Sequence, residues 1–278
     1  MENKCTFLLS SYDGGEDCWE GFFMSLKDRW PEMDMPIVLN TETKSYSFPG
    51  FDITTYGLHG GKKTPWGKRL LDTLNRISTP YVLFFLEDYW LDEKVDDAFF
   101  RKVLKWLDEN DDIATFSFYP CLPGGNIDDC KFERFELRPD SCEYKFNCQV
   151  ALWRREKLIE YIRPHESAWD WEIWGSIRGS KYSERFYTLK EEAPRVFSYG
   201  DNLKGCIVHK GKWNKDEVMP FVERYNLSID FSKRGFEDWE KIEKIENATV
   251  FQRLFMEGSL ERIKYRLSKP FKKWKSLK

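Results

Sequence analysis

The sequence predicts an α/β protein in which helices flank a mostly parallel central sheet, followed by a helical C-terminal extension. Two observations support this prediction. The first 40 residues have the order strand, helix, strand at the spacing of a βαβ unit, whose crossover makes the two strands parallel. The run Tyr81–Leu86 is apolar or aromatic at every position, which is typical of a strand buried on both faces.

The first unit is predicted from residue periodicity. Its strands are residues 5–11 and 36–40, and a short third strand follows at 53–56. The helix between the first two strands has one apolar face, because large apolar residues recur at helical spacing: Trp19, Phe22, Phe23, Leu26 and Trp30. Pro31 ends that helix.

The rest of the chain alternates helices with strands as far as residue 214. Helices are predicted at 66–77, 99–107, 154–162 and from Ser167 onward, and strands at 113–119, 148–153, 196–199 and 205–208. A long loop over 120–145 carries a hairpin arm near 132–137; loops this long are usually functional or disordered. We predict one α/β domain over 1–215 and a helical extension over 216–278.

Composition excludes several classes of protein. The net charge is -3, from 44 basic and 47 acidic residues, so the global positive field of a nucleic-acid-binding protein is absent. The seven cysteines form no Cys-x-x-Cys pair and are expected to be reduced thiols. The chain shows no signal peptide, and no stretch has the roughly 18 apolar residues that a membrane helix needs. We expect a cytoplasmic protein.

Two polar clusters follow predicted strands. The turn Ser11-Tyr12-Asp13 precedes two glycines, and Asp13 is placed to accept hydrogen bonds from a base or ribose. The alternative is an ordinary turn with a capping Asp. Glu87 and Asp88 end the buried strand, where open α/β sheets bind ligands, and such a pair can hold a divalent metal on a diphosphate. The alternative is that they only terminate the strand.

Basic residues suggest a place for phosphate. The glycine-rich stretch 58–64 contains Lys62 and Lys63, and Trp66, Lys68 and Arg69 follow it. Cations beside flexible glycines suit a phosphate-rich ligand, although a solvated basic loop has the same composition. The stretch does not match the P-loop pattern.

An aromatic and acidic segment, residues 169–174, begins the helix after Ser167. On a regular helix Asp170 shares its face with apolar residues, whereas Glu172 points to nearly the opposite side. An acid held against aromatic surface tends to have a perturbed pKa, so Asp170 is a candidate general base. The alternative is a helix N-terminal carboxylate stabilised by the macrodipole. Farther along, His209 precedes Lys210 and Lys212, a combination that suits a metal beside a phosphate.

The order of these motifs resembles that of GT-A fold glycosyltransferases, in particular bacterial enzymes of capsule, lipopolysaccharide and related surface-glycan assembly. The likeness covers about residues 1–215 and is carried by five short stretches: 11–15, 66–69, 86–89, 169–172 and 209–213. It implies a GT-A-like (Rossmann-like) catalytic domain. It also implies a nucleotide-sugar donor, in particular a UDP-sugar.

The resemblance also implies residue roles. Asp88 and His209 would bind Mn²⁺ or Mg²⁺, Asp170 would deprotonate the acceptor hydroxyl, and Glu172 is the second candidate catalytic acid. The implied donor-binding residues are Ser11, Tyr12, Asp13, Trp66, Arg69, Glu87, Asp88 and Lys212. This sequence departs from the family pattern at Tyr89, where a second metal-facing acid is expected.

The predicted function is therefore a hexosyltransferase-like activity that moves a sugar from a nucleotide-sugar to a hydroxyl of a glycan or lipid-linked acceptor in surface polysaccharide synthesis. Two alternatives stay open: a catalytically degenerate GT-A domain that binds glycans or acts as a scaffold, and a sugar nucleotidyltransferase. The tail 262–278 has eight Lys or Arg and no acid, interleaved with aromatics. It suits an anionic membrane surface at the inner face of the cell membrane, although a solvated helix end is an equal alternative.

Overall fold

The computed structural model describes residues 4–57, 64–121, 125–140, 142–200 and 206–239. Within these residues the central sheet has eight strands in the order β3-β2-β1-β4-β7-β5-β8-β6. The strands are β1 (Cys5–Ser10), β2 (Ile37–Thr41), β3 (Ile53–Gly57), β4 (Tyr81–Leu86), β5 (Ile113–Ser117), β6 (Phe135–Leu137), β7 (Ala151–Arg154) and β8 (Arg185–Leu189). A separate two-stranded hairpin is formed by β9 (Val208–His209) and β10 (Lys212–Trp213).

Helices cover both faces of the sheet. They are α1 (Glu16–Arg29), α2 (Trp66–Leu74), α3 (Asp97–Glu109), α4 (Arg155–Tyr161), α5 (Ala168–Asp170), α6 (Ser176–Gly179) and α7 (Lys215–Tyr225). Alternate strand residues face opposite cores, as the period of two requires. In β1, Phe7 packs into the cluster that contains α1, α3 and α7 residues, and Leu8 packs into the cluster that contains α2 and α4 residues.

The predicted fold class is confirmed by the sheet itself. Strands β3, β2, β1 and β4 run parallel, and β5 runs parallel to β8. Strand β4 has the predicted bounds, and all its residues but Leu86 are buried. Its alternating side chains serve both cores, because a central strand in a sheet covered on both faces has no side that meets water.

The prediction was wrong at two places in the second half of the sheet. Residues 185–189 form strand β8, which periodicity did not reveal, whereas 196–199 form no strand although Val196 and Phe197 are buried. Strand β7 is antiparallel to both of its neighbours, β4 and β5. Within the expected hairpin arm, residues 135–137 form β6, which pairs with β8 and also makes an antiparallel bridge from Leu137 to Ile127 in its own loop.

The strand order reverses beside β1, and this reversal creates the site. From β1 the chain adds β2 and β3 on one side and then places β4 on the other. The register pairs Ser10 with Leu86, so the two strands end together. The residues that follow them, from Ser11 and from Glu87, leave the sheet side by side. Such a switch point, at the carboxyl ends of parallel strands, is where open α/β sheets bind ligands.

The last described helix belongs to the body of the protein. Helix α7 packs on α1, and its residues Val218 and Phe221 lie in the main core. The structure ends its description at Trp239, so the division into 1–215 and 216–278 stays a prediction, and the basic tail lies outside the described residues. None of the described helices is long and apolar enough to cross a membrane.

Candidate functional site

A cleft of about 790 Å³ opens at the switch point. Its floor is formed by the ends of β1 and β4, and its walls by α2, the segment 168–172 and the β9–β10 hairpin. It is lined by Ser10, Ser11, Tyr12, Cys18, Trp66, Arg69, Leu86, Glu87, Asp88, Tyr89, Cys148, Gln149, Ala168, Trp169, Glu172, Cys206, Val208, His209, Lys210, Gly211 and Arg234. Most of the residues predicted for a donor site therefore face one space.

The acid pair after β4 lies at the bottom of this cleft. Burial, and then the neighbouring Asp88 charge, raises the pKa of Glu87 to about 8. Burial likewise raises the pKa of Asp88 above its usual range, against a hydrogen bond that Cys206 Sγ donates to Asp88 Oδ2 at 3.2 Å. Asp88 Oδ1 is buried and has no partner among the described residues. A buried carboxylate oxygen without a donor is a position that a cation or a ligand hydroxyl would satisfy.

The turn after β1 approaches Glu87 closely. A side chain at Gly15 would place its Cβ 2.7 Å from Glu87 Oε1, so any other residue here would push the Glu87 carboxyl aside. Tyr89, by contrast, is held in place by packing contacts. Its ring is buried, stacks on Tyr199 at 4.5 Å, and its hydroxyl donates to the Cys148 carbonyl. Position 89 therefore contributes to packing.

Helix α2 brings two predicted donor-binding residues under the cleft. Trp66 donates from Nε1 to Ser10 Oγ at 3.3 Å and packs against Trp171. Arg69 is buried and donates from Nη1 to the Ser11 carbonyl at 2.9 Å, while its Nε has no partner among the described residues. Burial lowers the pKa of Arg69, against the fields of nearby carboxylates, among them Glu87. Arg69 thus holds the β1 turn and faces the acid pair.

The carboxylate of Asp13 accepts its hydrogen bonds from within the protein. Its Oδ1 accepts the backbone N–H groups of Glu42, Thr43 and Lys44 at 3.1, 2.9 and 3.1 Å, and Oδ2 accepts the Thr43 hydroxyl. Partial burial opposes ionisation, but these donors outweigh it and lower the pKa of Asp13 to about 2. Asp13 does not line the cleft. Its role as a nucleotide contact stays a prediction.

We expect Asp13→Asn to lower the free energy of unfolding by about 1 kcal/mol at pH 7, because charge-assisted bonds to a partly exposed loop are lost. A depressed folded pKa gives stability that is present above the unfolded value, 3.8, and disappears as the pH falls through the folded value, about 2. Urea denaturation between pH 7 and 2 should therefore show the difference between the two proteins beginning to shrink below about pH 4 and becoming small near pH 2. A constant difference would contradict this role of the ionised carboxylate.

The helical segment 167–179 is built differently from a regular helix. Ser167 caps it: Ser167 Oγ accepts the Asp170 N–H at 3.2 Å and donates to Asp170 Oδ2 at 2.7 Å, and the Ser167 N–H also reaches Asp170 Oδ2. This is a capping box with Asp in place of Glu or Gln. Residues 171–175 then form a π-helix, which shifts the faces that a regular repeat predicts. Asp170 is buried and does not line the cleft.

Glu172 is the acid of this segment that faces the cleft. Its Oε1 accepts the Cys148 N–H at 2.9 Å, and burial raises its pKa against that bond. Of the two candidate catalytic acids, Glu172 lines the cleft and Asp170 does not, and their roles in catalysis stay predictions. The physical reason is twofold: Asp170 turns back to the N-cap, and the π-helix changes the rotation between successive side chains.

The β9–β10 hairpin brings His209 and Lys210 to the opposite wall. Lys210 and Gly211 form its turn, with positive φ of 49° and 87°. Lys212 does not line the cleft and its side chain is exposed, so Lys210 is the lysine of this hairpin that faces the site. His209 Nδ1 lies 3.2 Å from Glu237 Oε2, and its ring packs on Trp239.

Arg234 is a charged cleft residue that the sequence did not reveal. Its Nε and Nη2 form a bidentate ion pair with Asp17 at 2.7 and 2.6 Å, and Nη2 also donates to the Gly14 carbonyl. Its Nη1 donates to the Tyr12 hydroxyl at 3.3 Å. The hydrogen bond to Asp17 raises the pKa of Arg234 further. A single Arg in the stretch 231–236, more than 200 positions from its partners, has no local signal.

The metal prediction is only partly supported by the residues present. Asp88 and His209 line the same cleft, but among residues 4–57, 64–121, 125–140, 142–200 and 206–239 no three His, Cys, Asp or Glu side chains are grouped to hold an ion. Mg²⁺ commonly takes one or two carboxylates and completes its shell with substrate phosphates and water. The unpartnered Oδ1 of Asp88 fits that kind of site. The predicted lysines at 62 and 63 lie outside the described residues.

No family model and no curated protein matches the chain. Among solved structures, Staphylococcus aureus TarS 1–349 in complex with UDP is similar, with 11% identity over 89% of this chain and 76% of that chain and a TM-score of 0.48. The mannosyltransferase PcManGT from Pyrobaculum calidifontis, in complex with GDP-Man and Mn²⁺, has 11% identity over 99% and 83%, with a TM-score of 0.46.

A cytidylyltransferase from Leptospira borgpetersenii is similar as well, with 13% identity over 89% of this chain, 98% of that chain, and a TM-score of 0.43. These matches contain glycosyltransferases of the type predicted from the sequence together with a nucleotidyltransferase. At such identities and TM-scores the likeness carries no argument about activity, which has to be argued from the cleft.

Proposed function

We propose that this protein is a glycosyltransferase that moves a sugar from a nucleotide-sugar to an acceptor hydroxyl, with Glu172 as the general base. The observation that carries the proposal is the convergence of three carboxylates of raised pKa, Glu87, Asp88 and Glu172, on one cleft at the switch point of the sheet. Perturbed acids in a cleft at this position are typical of catalytic sites.

The cleft suits a nucleotide diphosphate carrying a sugar. Its volume of about 790 Å³ lies within the range of about 300–1,000 Å³ usual for small-molecule sites. Tyr12, Trp66 and Trp169 offer flat aromatic surface for a base or a sugar ring, and Lys210 offers a cation to the diphosphate. Arg234 and Arg69 hold the β1 turn from two sides, which fixes the position of Tyr12.

The acid pair needs a positive partner when a diphosphate binds. A divalent cation bound through Asp88, with His209 on the facing wall, would neutralise the leaving diphosphate and so assist cleavage of its bond to the sugar. Without such a partner, the pKa of Glu87, raised to about 8, favours its protonated form near pH 7, which removes one of the two charges that would repel phosphate.

Glu172 is suited to take the acceptor proton. Its carboxylate is held by the Cys148 N–H, and its raised pKa makes it a stronger base than an exposed glutamate. In the proposed step it removes the acceptor hydroxyl proton as the oxygen bonds to the anomeric carbon. The bond from that carbon to the diphosphate breaks, and the electron pair leaves with the phosphate. The two open alternatives, a scaffold and a nucleotidyltransferase, give Glu172 no such role.

Nucleotide binding tests the proposal most directly. We expect UDP or GDP, the nucleotides of the TarS and PcManGT complexes, to raise the Tm of the full chain, and Mn²⁺ to increase that shift. A ligand at about 100 times its Kd stabilises by about 2.7 kcal/mol. Asp88→Asn should remove the part of the shift that depends on Mn²⁺, and Lys105→Met, at an exposed lysine that does not line the cleft, should leave it intact.

Absence of a Tm shift with every nucleoside diphosphate, with and without Mn²⁺, would contradict the proposal. The finer predictions belong to it as well: a hexose donor, a role in capsule or lipopolysaccharide synthesis, and a peripheral position at the inner face of the membrane through residues 262–278. The composition of that tail, with eight basic residues and no acid, supports the membrane position among these predictions.

A further inference from the structure

A second groove lies on the other side of Glu172. Its volume is about 510 Å³, and it is lined by Asp140, Cys142, Glu143, Tyr144, Glu172, Ile173, Ser176, Ile177 and Ser180. Glu172 lines both the cleft and this groove, so its carboxylate stands where the two meet. A molecule lying in the groove would present one end to the carboxylate that faces the cleft.

The helical segment gives the groove an exposed apolar track. Trp169 lines the cleft, and Ile173 and Ile177 line the groove, so these three side chains lead from one cavity to the other. Trp169 is 67% exposed and Ile177 is 45% exposed. Large apolar side chains kept in water beside a cavity usually mark a binding surface.

Tyr144 completes the track from the loop on the opposite wall. Its ring is 42% exposed, and its backbone lies in the left-handed region with φ of 50°. For a bulky residue this conformation costs of order 1–3 kcal/mol and persists where the surroundings impose it, often at ligand-binding sites. Glycine would adopt this left-handed conformation without strain, so having tyrosine at position 144 costs stability.

The polar groups of the groove select for hydroxyls and against anions. Asp140, Glu143 and Glu172 are acceptors, Ser176 and Ser180 carry hydroxyls, and none of the described residues lining the groove is Lys or Arg. Lys145 is nearby, but its side chain is fully buried against Asp140 and the Gly179 carbonyl. Lys145 neutralises Asp140, so the negative charge that a phosphate-bearing acceptor would meet in the groove is that of Glu143 and Glu172.

We infer that this groove binds the acceptor, and that the acceptor is an extended, neutral oligosaccharide whose terminal hydroxyl reaches Glu172. Sugars have the matching chemistry: their C–H faces pack on Tyr144 and Ile177, and their hydroxyls donate to Asp140 and Glu143. This inference rests on the proposed function for its chemical outcome. The binding of a glycan in the groove is nevertheless measurable without a donor.

The test is a glycan array probed with the full chain. The array carries neutral oligosaccharides from single sugars to hexasaccharides and the same chains ending in phosphate. We expect binding to neutral chains, stronger for chains of several units than for single sugars, and weaker binding to the phosphorylated set. Tyr144→Gly should bind at least about tenfold more weakly while its Tm is unchanged or higher, because strain is removed as the ring is lost.

Matched controls separate a glycan site from general effects of the substitutions. Ile177→Ser should weaken glycan binding, whereas Ile127→Ser, at an equally exposed isoleucine outside the groove, should not. UDP and GDP should shift the Tm of all three variants as they do the parent. Sedimentation velocity of each variant should show no change of oligomeric state, since a change would make the track an interface between copies.

The inference is overturned if no array glycan binds, if phosphorylated chains bind better, or if Tyr144→Gly and Ile177→Ser bind like the parent. It is also overturned if those variants change the oligomeric state. Failure of the proposed function looks different: glycans bind in the groove, but no nucleoside diphosphate shifts the Tm. Failure of the inference alone leaves nucleotide binding intact and glycan binding insensitive to the groove.

Discussion

The Glu172→Gln variant is expected to lose about 10²- to 10⁴-fold in turnover for sugar transfer, the usual contribution of a general base. Glutamine keeps the size of the side chain and still accepts the Cys148 N–H, so the helix and the Tm shift with nucleotide should be preserved. Because burial raises the pKa of Glu172, the acid limb of the parent's pH–rate profile should lie above the usual carboxylate range. Initial rates of nucleotide release, measured with the array-positive glycan as acceptor, provide the measurement.

Asp170→Asn is the matched control, two residues away on the same segment. Its carboxylate completes the capping box, so the expected cost is about 0.3–1.5 kcal/mol in stability with little change in turnover per folded molecule. The opposite pattern, a loss of 100-fold or more in Asp170→Asn with near-normal Glu172→Gln, would return the base to Asp170, the residue that the helical pattern favours.

Arg178→Met is expected to lower the free energy of unfolding by about 3–5 kcal/mol, because it leaves the carboxylate of Glu166 buried without its cation. Arg178 Nη1 and Nη2 contact the two Glu166 oxygens at 2.8 and 3.0 Å, and Nη2 also donates to the Tyr161 carbonyl. The two side chains are 4% and 0% exposed. They bracket the segment that carries Glu172, so the pair holds the base in place. Urea denaturation followed by tryptophan fluorescence measures the loss.

Two further variants distinguish the stability effect of this buried ion pair from that of an exposed one. Lys105→Met removes an exposed partner of Glu109, 3.6 Å away, and should cost less than about 1 kcal/mol. Adding Glu166→Gln to Arg178→Met should recover part of the loss, since the stranded charge is then removed. A loss for Arg178→Met no larger than that for Lys105→Met would show that the pair does not stabilise the segment.

The parts of the fold that the sequence predicted correctly are those with a short-range signal. The strand Tyr81–Leu86 has its predicted bounds because every residue is apolar, and α1 follows from the recurrence of Trp19, Phe22 and Leu26. Strand β8 was missed because Arg185–Leu189 mixes polar and aromatic residues, and its burial between β5 and β6 comes from partners far away in the chain. Long-range pairing of this kind leaves little periodicity to detect.

The candidate site likewise has parts that the sequence predicts and parts that only folding decides. The sequence by itself determined which residue types are available: carboxylates after β4, a glycine turn after β1, and acids among tryptophans at a helix start. Only the tertiary structure decided which of them share a space. The register of β1 with β4 sets Ser11 beside Glu87, and Arg234 reaches Asp17 across 217 positions.

The choice between the two helix acids was likewise made by tertiary structure. Asp170 and Glu172 are both present in the sequence, but the Ser167 capping box takes the first and the π-helix turns the second to the cleft. A sequence pattern assumes one regular repeat along a helix. Backbone geometry and the contacts of each carboxylate set its direction and its pKa, and those arise only when the chain is folded.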